Sequence, residues 1–206
     1  MNRIFIEAKK PETSEYCFLT AILKTTFPDK SFEIVCMDGV ANLFSQTILN
    51  RIHAAMDDGD NVMVIIDSDT VEKTWGYTTR KADVERKMKK NGVEFPFFLY
   101  PNNHDDGDFE VLLESLARKD IHEKWWDCFS DYETCVAGIR DEFGNPRYTI
   151  PNLKAKLHTF ISSQRLNNAL RRKIGAGQWL FDDNNYWDLT RPTIQPLLVF
   201  LRDYVG

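Results

Sequence analysis

Short apolar runs alternate along this chain with longer stretches in which apolar residues recur every three to four positions. Runs of the first kind are typical of strands, and the longer periodic stretches of amphipathic helices. Arg3–Glu7, Phe32–Cys36, Val62–Ile66 and Phe95–Tyr100 read as strands. Phe18, Leu19, Ile22 and Leu23 mark a helix over 15–25. Leu43, Phe44, Ile48, Ile52, Ala55 and Met56 mark a second, with Asn42 as its expected N-cap. A charged helix over 79–91 ends at Gly92, and Phe109, Leu112, Leu113 and Leu116 mark another after the fourth strand. Strands alternating with helices predict an α/β fold, with a mostly parallel four-stranded sheet flanked by helices. The Val62–Ile66 run has no polar residue, as suits a strand buried on both faces.

Beyond Arg118 the strand signal fades. Residues 119–206 read as helices over 121–139, 150–160, 163–174 and 194–204, with Trp125, Trp126, Trp179 and Trp187 among them. The expected organisation is an α/β domain over 1–118 and a helical C-terminal extension over 119–206 packed on it.

Composition narrows the function classes. The 206 residues are 43% hydrophobic and 28% charged, ordinary for a soluble globular protein. A net charge of −5 argues against a free-standing, non-specific nucleic-acid binder, which usually carries a basic surface. It leaves room for a nuclease whose own metals offset an acidic site. Cys17, Cys36, Cys128 and Cys135 form no CxxC pair and read as buried, reduced thiols. No apolar run approaches the ~20 residues needed to span a bilayer, and nothing resembles a signal peptide. The expected location is the cytoplasm, with no membrane partner.

The candidate chemistry lies at strand ends. Glu7 closes the first strand, and Asp67-Ser68-Asp69 follows the third. In a parallel sheet these share the carboxyl rim, where open α/β folds bind ligands. Carboxylates so close repel unless a cation or a shared proton joins them. Their hard oxygens suit Mg²⁺ or Mn²⁺. Glu110 and Glu114 lie four apart on one helix face, with Glu110 in the first turn. Asp105, Asp106 and Asp108 read as a solvated turn or as support for the site. Lys9, Lys10, Lys73 and Arg80 lie near enough in sequence to meet a phosphate. Arg165, Arg171, Arg172 and Lys173 form a basic helix, read either as cations at a helix end or as a phosphate-backbone contact.

Glu7, the Asp38-Gly39 turn after the second strand and Asp67-Ser68-Asp69 together resemble the Toprim domain of topoisomerases, primases and OLD-family nucleases, through about residue 118. The Leu99–Glu110 segment, and the ending from Tyr186-Trp187-Asp188 to Pro196–Leu201, resemble a Toprim-related bacterial family. The resemblance implies a Rossmann-like fold and Mg²⁺- or Mn²⁺-dependent phosphodiester chemistry on nucleic acid, as in a Toprim-type nuclease. It implies catalytic and metal-holding roles for Glu7, Asp67 and Asp69. Glu110 matches the acid that helps hold a second metal, and Lys9, Lys73 and Arg80 are the substrate-binding candidates. Toprim nucleases often work beside an ATPase. No GxxxxGK[ST] motif occurs here, so an ATPase would be a separate subunit. The chain departs from the pattern at Ala8, where Toprim domains carry Gly, and the next acids are Glu12 and Glu15.

Two other readings stand beside this one. A Toprim scaffold retained without catalysis would bind nucleotide, nucleic acid or a partner protein. Asp67-x-Asp69-x-Val71 also resembles the first motif of haloacid-dehalogenase-type phosphatases, in which the first Asp is the nucleophile. That motif belongs on the first strand, and here it follows the third. The fourth strand also ends in Tyr100-Pro101-Asn102, without the Ser or Thr that mechanism needs.

Overall fold

The computed structural model describes residues 1–205. Its centre is one parallel sheet of β1 (Asn2–Ile6), β2 (Phe32–Cys36), β3 (Asn61–Asp67) and β4 (Phe97–Tyr100), in spatial order β2-β1-β3-β4. The register pairs Ile6 with both Cys36 and Ile65, and Asp67 with Tyr100. All four strands therefore end at one rim. This is the expected α/β architecture, with a Rossmann-like helix-flanked sheet.

Two separate cores explain the unbroken apolar run of β3. Met63 and Ile65 face one side, with Ile4, Ile6, Phe98 and Tyr100. Val62, Val64 and Ile66 face the other, with Phe5, Val35 and Leu99. The second face is covered by α2 (Gln46–Asp57), through Ile48, Leu49, Ile52 and Ala55, and by Val84 of α3 (Tyr77–Asn91). The first face is covered by α1 (Ser14–Thr26) and α4 (Phe109–Leu116). Leu157, Phe160, Trp187 and Leu201 from beyond residue 118 enter that same core. They belong to a segment built from α5 (Glu123–Gly138), α6 (Leu153–Ser162), α7 (Asn168–Gly175) and α8 (Gln195–Tyr204). Trp187 is fully buried, and its indole N–H donates to the Trp179 carbonyl at 2.6 Å.

Local chemistry starts the helices. Thr13, Ser45, Asp108, Asn152 and Asn167 each place a side-chain oxygen on a first-turn N–H of α1, α2, α4, α6 and α7. Asn42, expected to cap α2, instead donates its amide to the carbonyls of Met37 and Asp38 and braces the turn after β2. A short 3-10 segment, Val40–Asn42, intervenes, so the cap falls to Ser45. The cysteines also depart from expectation. Cys17 and Cys36 are half-buried, while Cys128 and Cys135 are exposed on α5, a helix on which only Trp126 is buried. Among the described residues no helix is long and apolar enough to cross a membrane.

Candidate functional site

The strand ends bring Glu7, Asp67 and the start of α4 together. Glu7 Oε1 accepts from the Asp67 N–H at 2.9 Å, and Asp67 Oδ1 accepts from the Phe109 N–H at 2.8 Å. The second bond seats the Asp67 carboxylate at the positive end of α4. Glu110, one residue further on, is nearly buried, and its Oε1 lies 2.8 Å from Lys154 Nζ of α6. That contact falls outside hydrogen-bond geometry, and the oxygen has no hydrogen-bond partner.

Glu15 joins the cluster from the first turn of α1, and its field reaches Glu7, Asp67 and Glu110. Burial, then the repulsion of Glu7 and Glu110, pushes the Glu15 carboxyl well above the usual carboxylate range. Asp67 is raised in the same way by burial and by Glu7, Glu15 and Glu110. Burial also raises Glu7, against the N–H of Asp67 and the charge of Arg80, which favour its ionised form. Tyr100 ends β4 within reach of the same four acids. It is fully buried, its hydroxyl has no hydrogen-bond partner, and burial and the carboxylates raise its pKa well above that of a free phenol.

Cations pair with two of the neighbouring acids, Asp69 and Glu110. Asp69 Oδ2 is 2.6 Å from the nearly buried Arg80 Nη2, and Asp69 Oδ1 is 3.1 Å from Lys73 Nζ. The Arg80 guanidinium lies 3.8 Å from the Trp75 ring centroid. Lys154 pairs with Glu110. Burial opposes its charge, but Glu110, Asp67 and Glu15 prevail and raise its pKa. Among the described residues Glu7, Glu15 and Asp67 form no ion pair within 4.0 Å.

The sequence-predicted residues thus divide. Glu7, Asp67 and Glu110 converge. Asp69 adjoins them but is engaged by Arg80 and Lys73. Arg80, read as a substrate contact, is buried against Asp69 and Trp75. Lys73 is half exposed beside Asp69 and Asp108, and Lys9 is exposed on the loop after β1. Glu114 turns aside to Lys119 at 3.1 Å. The acidic loop after β4 does structural work. Asp106 accepts from the Tyr77 N–H at the start of α3, Asp108 caps α4, and Asp105 binds Asn102 and His104. At Gly76 a Cβ would sit 2.9 Å from the Asp106 carboxylate, so glycine lets that acid reach the helix end. Glu15 is one of the two later acids the first motif leaves open from sequence, and Lys154 has no sequence signal, because only tertiary packing brings α1 and α6 to the rim.

Several carboxylates meet here, the donor type that hard divalent cations take, though the buried Glu110 oxygen already faces the Lys154 ammonium. Among the described residues no group of three or more His, Cys, Asp or Glu side chains is placed to hold a metal ion.

Fold and site define a Rossmann-like α/β protein with a carboxylate cluster at the carboxyl rim of its sheet. No curated protein and no solved structure matches it. Residues 12–206 match the family described as "Protein of unknown function (DUF3226)", and the chain belongs to that family. The matched span holds Glu15, Asp67, Asp69, Glu110 and Lys154, while Glu7 precedes it.

Proposed function

We propose that this protein carries out Mg²⁺- or Mn²⁺-dependent phosphodiester hydrolysis on nucleic acid, in the manner of a Toprim-type nuclease. The observation that carries the reading is the meeting of Glu7, Glu15, Asp67 and Glu110 at one rim, with fewer cations than carboxylates. A bound divalent ion supplies an acidified water and a counter-charge for phosphate oxygens. Glu7, Asp67, Glu15 and Glu110 would hold it. Asp69 serves the site indirectly, fixing Arg80 and Lys73 beside it. Lys73, paired with Asp69 and Asp108, and Lys154, paired with Glu110, are both more than half exposed at the cluster's edge, where a phosphate backbone would pass.

A non-catalytic binding module is the second reading, favoured by the commitment of Asp69 to Arg80 and by the acidic surface. One measurement series separates the two. Thermal unfolding is followed in EDTA and in saturating Mg²⁺ or Mn²⁺, for wild type and Asp67→Ala. A ligand at about 100 times its Kd adds about 2.7 kcal/mol, or roughly 5–10 °C for a chain of this size. We expect that rise in wild type and its loss in Asp67→Ala. No rise in wild type ends the metal reading. Single-stranded, duplex and supercoiled DNA, and RNA, are then incubated with the metal-loaded protein. Cleavage that Asp67→Ala abolishes supports the nuclease; metal binding without cleavage supports the module.

A further inference from the structure

Exposed apolar side chains gather on one segment. Among the described residues Ile121, Tyr132, Ile139, Phe143, Tyr148 and Ile150 are six of the eleven large apolar side chains left exposed, and all lie within 121–150. Both exposed cysteines, Cys128 and Cys135, lie there too. On α5 positions 128, 132 and 135 are spaced by four and three, so they share one helix face. The core side of that helix holds the buried Trp126 and Glu133, which meets Lys156 of α6 at 2.9 Å. Beyond α5 the Arg147 N–H closes a hairpin on the Ile139 carbonyl at 3.1 Å, and Phe143 at its turn is 80% exposed. At about 200 Å² for a large side chain, the six offer on the order of 500 Å² per chain. A specific interface needs about 1,000 Å² in total, or that much from each of two copies.

The charges on this segment select the partner. Glu123, Asp127 and Asp131 are exposed at intervals of four along α5, and Arg140 and Arg147 are exposed just past its C-terminal end. Among the described residues none of these five has an ion-pair partner in its own chain. Lys124 and Glu142 run against the division, and Asp141 is tied into the hairpin by the N–H groups of Phe143 and Asn145. A second copy laid antiparallel on the first sets the acids of each against the arginines of the other, whereas parallel copies set acid on acid. A two-fold axis crossing α5 between Asp131 and Tyr132 places Cys128 level with the partner's Cys135, and Glu123 level with the partner's Arg140. We propose that the chain forms a two-fold homodimer through α5 and the hairpin after it, with the two α5 helices antiparallel.

Sedimentation equilibrium and cysteine crosslinking of the full chain test this. Wild type should approach twice its 24.0 kDa chain mass as concentration rises. Each substitution acts twice across a two-fold axis, so Arg140→Glu should weaken association by about tenfold or more, and adding Glu123→Arg should restore it. Tyr132→Glu should abolish the dimer and keep the melting temperature of the monomer, because the side chain is exposed. Crosslinking uses a short bis-maleimide on a Cys17→Ser, Cys36→Ser background. That chain should be joined into covalent dimers. Adding Cys128→Ser alone or Cys135→Ser alone should prevent joining, and mixing those two variants should recover it, since each mixed pair keeps one facing couple. A wild type that stays at 24.0 kDa up to its solubility limit overturns the dimer and leaves the face to another partner. A charge reversal that Glu123→Arg does not rescue, or crosslinking that persists with either cysteine alone, overturns the antiparallel arrangement and the inference with it.

Discussion

At the scale of single residues, Arg80 carries the most structural weight near the site. Its guanidinium is nearly buried, stacked on Trp75 and paired with Asp69, and its Nε has no hydrogen-bond partner. Breaking a buried pair by removing one partner leaves an uncompensated charge and typically costs about 3–5 kcal/mol. Asp69 keeps Lys73 and some solvent, so the lower end applies. Arg80→Met should lose about 3 kcal/mol in urea unfolding, and Asp69→Asn with Arg80→Met should lose less than the sum of the two single changes. Strict additivity would mean that the pair is not coupled. Asp69 also shows where sequence legibility stops. Asp67 and Asp69 both read as ligands because they fall together at the carboxyl end of the third strand. The strand ends at Asp67, however, and Asp69 takes φ 58° in the left-handed region. The chain turns there, and the second carboxylate faces Arg80 and not the cluster.

At the scale of elements, the parallel sheet and the helices over it were readable because each rests on a local signal. β2 matches its apolar run, and α3 ends at Gly92 in the left-handed conformation that a C-cap glycine supplies. What joins elements was less readable. Ser68 looks like a spacer between two acids, yet it is fully buried and locks the end of β3 to the loop before α4. Its hydroxyl accepts from the Gly107 N–H at 2.9 Å and lies 3.0 Å from the Gly107 carbonyl and 3.1 Å from that of Asp105. Gly107 has φ 147°, and a Cβ there would meet Pro101 and Val111 at 3.2 Å, so the loop has no slack to replace the tie. Leaving buried polar groups without a partner costs about 1–3 kcal/mol. Ser68→Ala should therefore destabilise by that amount and speed amide exchange across 101–108, while α2 on the opposite face keeps its protection. Uniform loss of protection through both cores would show that the tie is not local. Glu15 and Lys154 belong at this scale too. Their helices were legible, but their meeting with Asp67 follows from how α1 and α6 pack on one sheet face.

At the scale of the whole molecule, the balance of charges at the rim sets how stability varies with pH. Burial, followed by repulsion among the acids, raises the carboxyls of Glu15 and Asp67 well above their usual range, and burial raises Glu7. The native state therefore holds these protons more tightly than the unfolded chain. Below the ordinary carboxylate range of about pH 4 both states are protonated, and the contribution is fully present. As pH rises through that range and on through the raised native values, the unfolded chain ionises first, and the contribution is lost. The surface acids run the other way. Asp60, Asp120 and Asp188 are held low by hydrogen-bonded partners and lose stability only as pH falls into the acid range, and screening keeps that loss small. In EDTA the melting temperature should consequently peak in mild acid and fall by several degrees between pH 5 and pH 8. Asp67→Asn removes one of the repelling groups, so its curve should be flatter and lie above wild type at pH 8. A wild-type melting temperature that holds level or climbs from pH 5 to pH 8 would show that the rim carries no unmet negative charge. A cation there would then have nothing to neutralise. The expected fall, reversed by Mg²⁺ at pH 8, would show instead that the cluster is held together at neutral pH by an ion that the chain does not itself provide.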